Sequence, residues 1–88
     1  MAVGTLIKTM PNDELYIGLI YDWYYDDEDG YGTVGVEITW NDCDDTTEIF
    51  HEYEDYDMSE YHFYYQGKWW LIYENFWKFK EVLEGKCR

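Results

Sequence analysis

The chain has 88 residues, enough for one small domain, and its 20 acidic and 6 basic residues give a formal net charge of −14. Aromatic residues make up 23% of the chain, which excludes intrinsic disorder because disordered segments are poor in aromatics. No stretch approaches the ~18 apolar residues of a membrane helix, and the first ten residues lack the pattern of a signal peptide. We therefore expect a cytoplasmic protein that does not interact with membranes.

The first three predicted strands are separated by turn signals and acidic clusters. A strand over Thr5–Thr9 is followed by the turn sequence Pro11-Asn12-Asp13. A long strand over Tyr16–Tyr25 comes next. Strict alternation would place four of its apolar residues on one face: Ile17, Leu19, Tyr21 and Trp23. After the acidic turn at 26–30, apolar residues alternate with small or polar ones over Val34–Trp40, which predicts a strand with one face exposed to solvent.

The second half of the chain predicts three more strands. Beyond the acidic turn at 41–45, a strand-like mixture runs over Thr46–Tyr53, and the polar segment Glu54–Glu60 reads as a loop. Two further strands, Tyr61–Tyr65 and Trp69–Glu74, are joined by three residues that include a glycine, which indicates a short hairpin.

A short helix is predicted at the end of the chain, over Phe76–Glu84. Asn75 is a suitable residue to cap it, and Gly85 is a natural stop. Phe76, Phe79 and Leu83 share one face at helical spacing, so this face should pack on the sheet.

Taken together, the elements predict a mainly β fold. Short strands between turn clusters favour a small SH3-like antiparallel barrel or bent sheet of five to six strands, with one short C-terminal helix. We expect residues 1–88 to form a single domain, with the barrel core over about 3–74 and the helix over about 76–84.

Three segments carry a resemblance to a known class of fold: Val3-Gly4-Thr5-Leu6-Ile7-Lys8, Tyr16-Ile17-Gly18-Leu19-Ile20 and Val34-Gly35-Val36-Glu37-Ile38-Thr39-Trp40. This pattern, within residues 3–53, resembles SH3-like and KOW-like small β-barrels, including those of short bacteriophage proteins. The resemblance implies a barrel fold and a phage origin. KOW-type barrels that bind RNA have basic loops, whereas the corresponding loops here are Asp26–Asp29 and Asp42–Asp45. The nucleic-acid role of that class is therefore not expected here.

The charge is distributed unevenly along the chain. Residues 1–60 contain seventeen acids and one base, a net charge of −16, whereas residues 61–88 contain three acids and five bases, a net charge of +2. Binding to phosphate backbones requires many lysines and arginines, so we do not expect the main body to bind nucleic acid directly. A strongly negative field attracts basic protein surfaces and speeds encounter with them.

No pattern in the chain predicts catalysis, a metal site or a cofactor. An EF-hand alignment of the first acidic turn fails at its first and last ligand positions, where Tyr25 and Val36 stand. Cys43 lies among acids that would raise its pKa, which makes it a poor nucleophile. Cys43 and Cys87 form no zinc motif, and either two free thiols or one disulfide to the C-terminal tail fits them. We expect a protein that is not an enzyme.

Trp69 and Trp70 must lie on opposite faces of a strand. One ring should enter the core. The other is covered by the C-terminal helix or by a second chain, and we include Trp70 among the candidate binding residues because tryptophans dominate binding hot spots.

Two functions remain open. In the first, the chain is an acidic protein-binding module, a nucleic-acid mimic that blocks the basic cleft of a nucleic-acid-handling protein in the host cell. In the second, it is a phage structural or assembly protein, or an obligate homo-oligomer with buried aromatics. The candidate acidic residues are Asp22, Asp26, Asp27, Glu28, Asp29, Asp42, Asp44, Asp45, Glu48, Glu52, Glu54, Asp55 and Asp57. The candidate aromatic residues are Tyr24, Tyr25, Tyr31, Tyr53, Tyr56 and Trp70.

Overall fold

Six antiparallel strands form one sheet, and a short helix follows them. The computed structural model describes residues 4–27, 30–52 and 60–85. The elements are β1 (Leu6–Thr9), β2 (Tyr16–Asp26), β3 (Thr33–Trp40), β4 (Thr46–His51), β5 (Tyr61–Tyr65), β6 (Lys68–Leu71) and α1 (Phe76–Glu84). The strand order in the sheet is β4-β3-β2-β1-β5-β6, and each neighbouring pair is antiparallel. The predicted fold class, mainly β with one short C-terminal helix, is confirmed.

Two connections explain where the last strands begin and end. The β5–β6 hairpin turns on Gln66 and Gly67, whose φ angles of 50° and 82° are both positive, as a type I′ turn requires. Strand β6 ends at Leu71, earlier than predicted, because Tyr73–Asn75 forms a 3-10 turn that leads into α1.

The sheet is sharply bent, because strands far apart in its order touch. Strands β4 and β5 are four positions apart, which would separate them by roughly 19 Å in a flat sheet. The rings of Phe50 on β4 and Tyr61 on β5 have centroids only 5.3 Å apart, edge to face. The inner face of the sheet therefore wraps around the core.

Helix α1 closes the core between the two halves of the bent sheet. The ring of Phe79 is fully buried and lies 5.8 Å from the ring of Phe50 and 5.1 Å from that of Phe63. The predicted inward face of the helix is confirmed. The buried core consists of Ile7, Ile20, Val34, Val36, Ile38, Phe50, Phe63, Ile72, Phe76, Phe79 and Leu83.

The two ends of the helix are only partly as predicted. Gly85 ends it in the left-handed region at φ 78°, which glycine adopts without strain. Asn75 occupies the N-cap position, but its side chain makes no capping hydrogen bond. The Nδ2 group of Asn75 instead donates to the carbonyl oxygen of Leu71 at 2.9 Å, which ties the start of the helix to the end of β6.

A β-bulge in β2 overturns the simple alternation expected there. Ile20 pairs with Ile38 and Asp22 pairs with Glu37, so Tyr21 is an extra residue that has no partner on β3. One inserted residue shifts every later side chain to the opposite face. The inward positions are thus Gly18 and Ile20 before the bulge and Trp23 and Tyr25 after it, while Leu19 and Tyr21 are exposed.

The two ends of the bent sheet differ. Helix α1 covers the end where β2 passes into β3, since the ring of its Trp77 lies 5.9 Å from that of Tyr25 and its indole Nε1 donates to Glu52 at 3.0 Å. At the other end lie Thr9, Tyr16, Trp40 and Thr46, which leave a cleft that we describe below.

We predict that Phe79→Ala lowers the free energy of unfolding by about 3–5 kcal/mol, because it leaves a cavity between the two halves of the sheet. Urea denaturation followed by tryptophan fluorescence measures this. The exposed Glu81 on the same helix provides the control, since Glu81→Ala should change stability by less than about 0.5 kcal/mol. Equal losses in both variants would contradict the role we assign to Phe79.

Candidate functional site

The outer face of β2 and β3, with the adjoining end of the β3–β4 turn, carries carboxylates interleaved with tyrosines. We call it the acidic surface, and it comprises Tyr21, Asp22, Tyr24, Asp26, Glu37 and Asp45. Asp22 and Glu37 stand directly opposite each other on the two strands, and both are exposed. Like charges in this position destabilise a sheet. The repulsion between these two carboxylates therefore opposes the pairing of β2 with β3.

Tyr21 links the carboxylates along the acidic surface. Its hydroxyl donates to Oδ2 of Asp45 at 3.2 Å and lies 3.5 Å from Oε1 of Glu37. Desolvation, followed by the hydrogen bond to Asp45 and the charges of Asp45 and Glu37, raises the pKa of Tyr21. The bulge positions this group, since Oδ1 of Asp22 accepts the backbone N–H of Trp23 at 2.9 Å.

Tyr24 forms the apolar part of the acidic surface. Its ring lies across Gly35, where a Cβ atom would clash with it, so the glycine allows the ring to lie flat on the neighbouring strand. Asp22, Tyr24, Glu37 and Thr47 line a shallow groove of about 90 Å³ at this point. Exposed aromatic rings of this kind are enriched at protein-binding surfaces.

The lysines lie away from the acidic surface, over aromatic rings. The Nζ atom of Lys8 is 4.7 Å from the centroid of the Trp69 ring, that of Lys68 is 4.0 Å from Trp70, and that of Lys80 is 4.6 Å from Tyr25. Lys78 also lies over Trp70. In the described ranges, no lysine forms a salt bridge with Asp22, Glu37 or Asp45, and Lys80 instead pairs with Glu84 on α1 at 2.7 Å.

The structure distributes the predicted acidic residues over three places. Asp22 and Asp26 lie on the acidic surface, with Asp27 just beyond the end of β2. The three aspartates of the second acidic turn, Asp42, Asp44 and Asp45, are exposed at the opposite end of β3. The eight residues of β3 separate the two turns by roughly 24 Å, so the acids form a strip along the strands and no single cluster.

Two predicted acids lie off this strip. Glu52 is partly buried, and both of its carboxylate oxygens accept hydrogen bonds, from the backbone N–H of Gly32 and from the indole of Trp77 at 3.0 Å each. Glu52 thus holds α1 against the β2–β3 turn. Glu48 lies on the inner face of β4, opposite Val36. Five further candidates lie outside the described residues: Glu28, Asp29, Glu54, Asp55 and Asp57.

The predicted aromatic residues also divide. Tyr24 and Tyr31 are exposed, at 48% and 56%, whereas Tyr25 packs against the core beside α1. Trp70 faces inward, with its ring stacked on that of Phe63 at 6.4 Å, and its indole N–H donates to the carbonyl of Tyr65 at 2.9 Å. Tyr53 and Tyr56 lie outside the described residues.

Trp69 is the tryptophan of the pair that faces outward. Its ring lies edge to face against Tyr64, with centroids 5.1 Å apart. The strand register continues this contact into a row across the outer face of β2, β1, β5 and β6. The row, which we call the apolar row, comprises Leu19, Leu6, Tyr64 and Trp69.

The open end of the bent sheet is a cleft of about 330 Å³. Its lining residues come from the first five strands and the adjacent turns: Thr9, Pro11, Tyr16, Trp40, Cys43, Thr46, Glu48 and Tyr61. Three of them are aromatic and one is a carboxylate. The hydroxyl of Tyr61 hydrogen-bonds to Glu48 across the cleft, which joins β4 to β5 at this end.

Carboxylates influence both tyrosines of the cleft. Burial, the charge of Glu48 and the hydrogen bond to it raise the pKa of Tyr61 to about 12. Tyr16 donates to Oε1 of Glu14 at 3.2 Å. That hydrogen bond and the charge of Glu14 raise the pKa of Tyr16, and Asp42 acts in the same direction.

Sequence reasoning missed Glu37, Tyr21 and the cleft. The alternation of β3 does place Glu37 on the wet face, so its position could have been found. The role of Tyr21 depends on the bulge, and the cleft depends on how the sheet bends, and neither has a local signal in the sequence.

Comparison with protein families, curated proteins and solved structures finds no match to this chain. Within the described residues, no group of three or more His, Cys, Asp and Glu side chains is arranged to hold a metal ion. In the same part of the chain, no helix has the length and apolar character that crossing a membrane requires.

We predict that Glu37→Gln raises the free energy of unfolding at low salt by about 0.2–1 kcal/mol, because it removes the repulsion with Asp22 and keeps an acceptor for Tyr21. Urea denaturation at ~20 mM and ~500 mM salt measures this, and the gain should vanish at high salt, where exposed charges are screened. The exposed Glu74 is the control, because Glu74→Gln should have little effect at either salt concentration. A salt-independent gain would contradict the electrostatic explanation.

We predict that alkali destabilises the protein through Tyr61. The pKa of this hydroxyl is raised in the fold from 10.0 to about 12, so its contribution is fully present below pH ~10 and is lost as the pH rises from ~10 to ~12. Denaturation at several pH values measures the decline, which should be shallower in Tyr61→Phe than in the parent chain. Identical pH profiles for Tyr61→Phe and the parent chain would show that the pKa of Tyr61 is not raised by its surroundings in the cleft.

Proposed function

We propose that this chain is a non-catalytic protein-binding module whose acidic surface occupies the basic nucleic-acid site of a partner protein. One observation carries the proposal: the exposed Asp22–Glu37 pair stands directly opposite across two strands, and among the described residues no lysine neutralises it. An arrangement that opposes folding is expected where function needs it. A basic protein surface would relieve the repulsion on binding.

The neighbouring side chains support a protein partner. Tyr24 is 48% exposed and Tyr21 is 42% exposed, and tyrosines are enriched at the centres of protein interfaces. Residues on one face of a strand repeat every ~7 Å. Asp22 and Asp26 lie two such repeats apart, with Tyr24 between them, so they present a line of negative charge along β2 with carboxylates spaced by roughly 13 Å. Basic sites that accept phosphate backbones recognise such a line of charge.

The lysines and the exposed carboxylates lie on different parts of the surface, so the charge of the molecule is distributed asymmetrically. All four lysines in the described ranges lie over aromatic rings on β1, β6 and α1 or their neighbours. A basic partner is therefore attracted more strongly to the outer face of β2 and β3 than to the parts of the surface that carry the lysines. Electrostatic complementarity of this kind determines orientation and the rate of association.

The apolar row favours a second candidate function, self-assembly. Leu6 and Leu19 are each 39% exposed and Tyr64 is 41% exposed, and Trp69 extends the row. A second copy could cover this face. The net charge of −14 opposes contact between copies, so the acidic surface is the better-supported site.

A capture experiment tests the proposal. Immobilised protein is exposed to bacterial lysate at ~50 mM and ~500 mM salt, and bound proteins are eluted with duplex DNA and identified. We predict that the parent chain captures a nucleic-acid-binding protein at low salt only, because exposed charges are screened at high salt. We also predict that DNA displaces the captured protein.

Variants with equal net charge provide the control. Asp22→Asn with Glu37→Gln should abolish capture, whereas Glu74→Gln with Glu81→Gln, which removes two exposed charges elsewhere, should preserve it. Loss in both double variants would show that total charge alone matters. A salt-insensitive oligomer that captures nothing, detected by light scattering, would replace the proposal with self-assembly through the apolar row.

A further inference from the structure

The cleft at the open end of the sheet combines aromatic walls with one carboxylate. Trp40, Tyr16 and Tyr61 supply the aromatic rings, and Glu48 supplies the charge. This composition differs from the acidic surface, where the carboxylates are exposed on a strand face. It is the composition that proteins use to hold an organic cation, because a ring face and a carboxylate both attract positive charge.

Glu48 lies in the cleft without a cationic partner among the described residues. It is partly buried on the inner face of β4, and the hydroxyl of Tyr61 donates to it. A carboxylate has about four acceptor positions, so one hydroxyl leaves most of them open. The described lysines lie over rings elsewhere, and a partly buried carboxylate is stabilised by any cation that reaches it.

The walls of the cleft are held in place before any ligand arrives. The indole N–H of Trp40 donates to Oγ1 of Thr46 at 2.7 Å, and Tyr16 donates to Glu14 at 3.2 Å. Rings that are already oriented lose little conformational entropy on binding. The volume of about 330 Å³ is at the lower end of the range for ligand pockets and suits one long side chain.

Acidic residues at the rim of the cleft add to its attraction for a cation. The second acidic turn borders it, since Cys43 lines the cleft and Asp42 raises the pKa of Tyr16. Asp45, in the same turn, belongs to the acidic surface through Tyr21. The same turn therefore borders both the acidic surface and the cleft, so a partner bound at Asp45 lies beside the cleft.

We propose that the cleft binds an arginine side chain of the partner protein, with the guanidinium group against Glu48 and between the aromatic rings. Arginine fits better than lysine because its planar guanidinium stacks on rings and donates two parallel hydrogen bonds to a carboxylate. This inference deepens the proposed function and rests on it for the nature of the partner. The arginine site and the acidic surface consist of different residues, so an experiment can overturn either proposal without the other.

The test uses NMR titration of the ¹⁵N-labelled protein with N-acetyl-arginine amide. The neutral isostere N-acetyl-citrulline amide and N-acetyl-lysine amide serve as comparison ligands. We expect the indole signal of Trp40 to shift with a dissociation constant on the order of 1 mM for the arginine probe, the affinity a ligand of this size reaches. Lysine should bind less tightly and citrulline at least about tenfold less tightly.

Two variants locate the site. Glu48→Gln should weaken arginine binding at least about fivefold, the loss expected for one charge-assisted hydrogen bond. Glu74→Gln, an equal charge change at an exposed position outside both sites, should leave it within about twofold. Should Glu48→Gln fail to fold, Tyr16→Ala removes one wall and must also weaken binding. Citrulline binding as tight as arginine, or equal losses from Glu48→Gln and Glu74→Gln, would overturn the proposal.

The outcomes separate the two proposals. Salt-dependent capture that depends on Asp22 and Glu37, with no arginine binding, would overturn the proposed arginine site and leave the proposed role of the acidic surface standing. Arginine binding that depends on Glu48, with no captured partner, would support the cleft and count against the proposed function.

Discussion

The structure depends on the insertion of one ring, Phe79, between two strands that lie far apart in the order of the sheet. Its contacts with Phe50 on β4 and Phe63 on β5 hold the sheet in a bend around the core. Because the helix carrying Phe79 covers one end of that bend, the opposite end remains open. The cleft is a consequence of where the helix lies, and its aromatic walls are the ends of the same strands that form the core.

The bend also separates the charges. The outer face of β2 and β3 carries the acidic surface, while the lysines lie over rings near β6 and α1, as Lys68 does on Trp70. Stability thus comes largely from aromatic packing. Glu52 supports that packing through its bonds to Gly32 and Trp77, whereas the repulsion between Asp22 and Glu37 opposes folding.

Most of the fold could be predicted from the sequence, because its signals are local. The alternation of Val34–Trp40 and the spacing of Phe76, Phe79 and Leu83 each identified an element and its inward face. The face of β2 beyond Ile20 could not be predicted, because a bulge leaves no trace in composition. The end of β6 was misplaced for a related reason, since the 3-10 turn after Leu71 depends on how the helix docks.

The candidate site was only partly predictable. The sequence identified Asp22 and Asp26 correctly as exposed acids. It grouped Glu48 and Glu52 with them, although Glu48 lies on the inner face of β4 and Glu52 accepts a hydrogen bond from Trp77 on α1. The number of acidic residues in a sequence does not indicate which face of the sheet they occupy. The pairing of Asp22 with Glu37 became visible only with the register of β2 and β3.

The most direct test of the account is to locate where a basic chain binds. Chemical-shift mapping of the labelled protein with a short unstructured arginine-rich peptide, at ~50 mM and ~500 mM salt, locates the contact residue by residue. We predict shifts confined to the outer face of β2 and β3 and to the rim of the cleft, and their loss at high salt. Shifts centred on Leu6, Leu19 and Tyr64, or shifts that persist at high salt, would contradict the account.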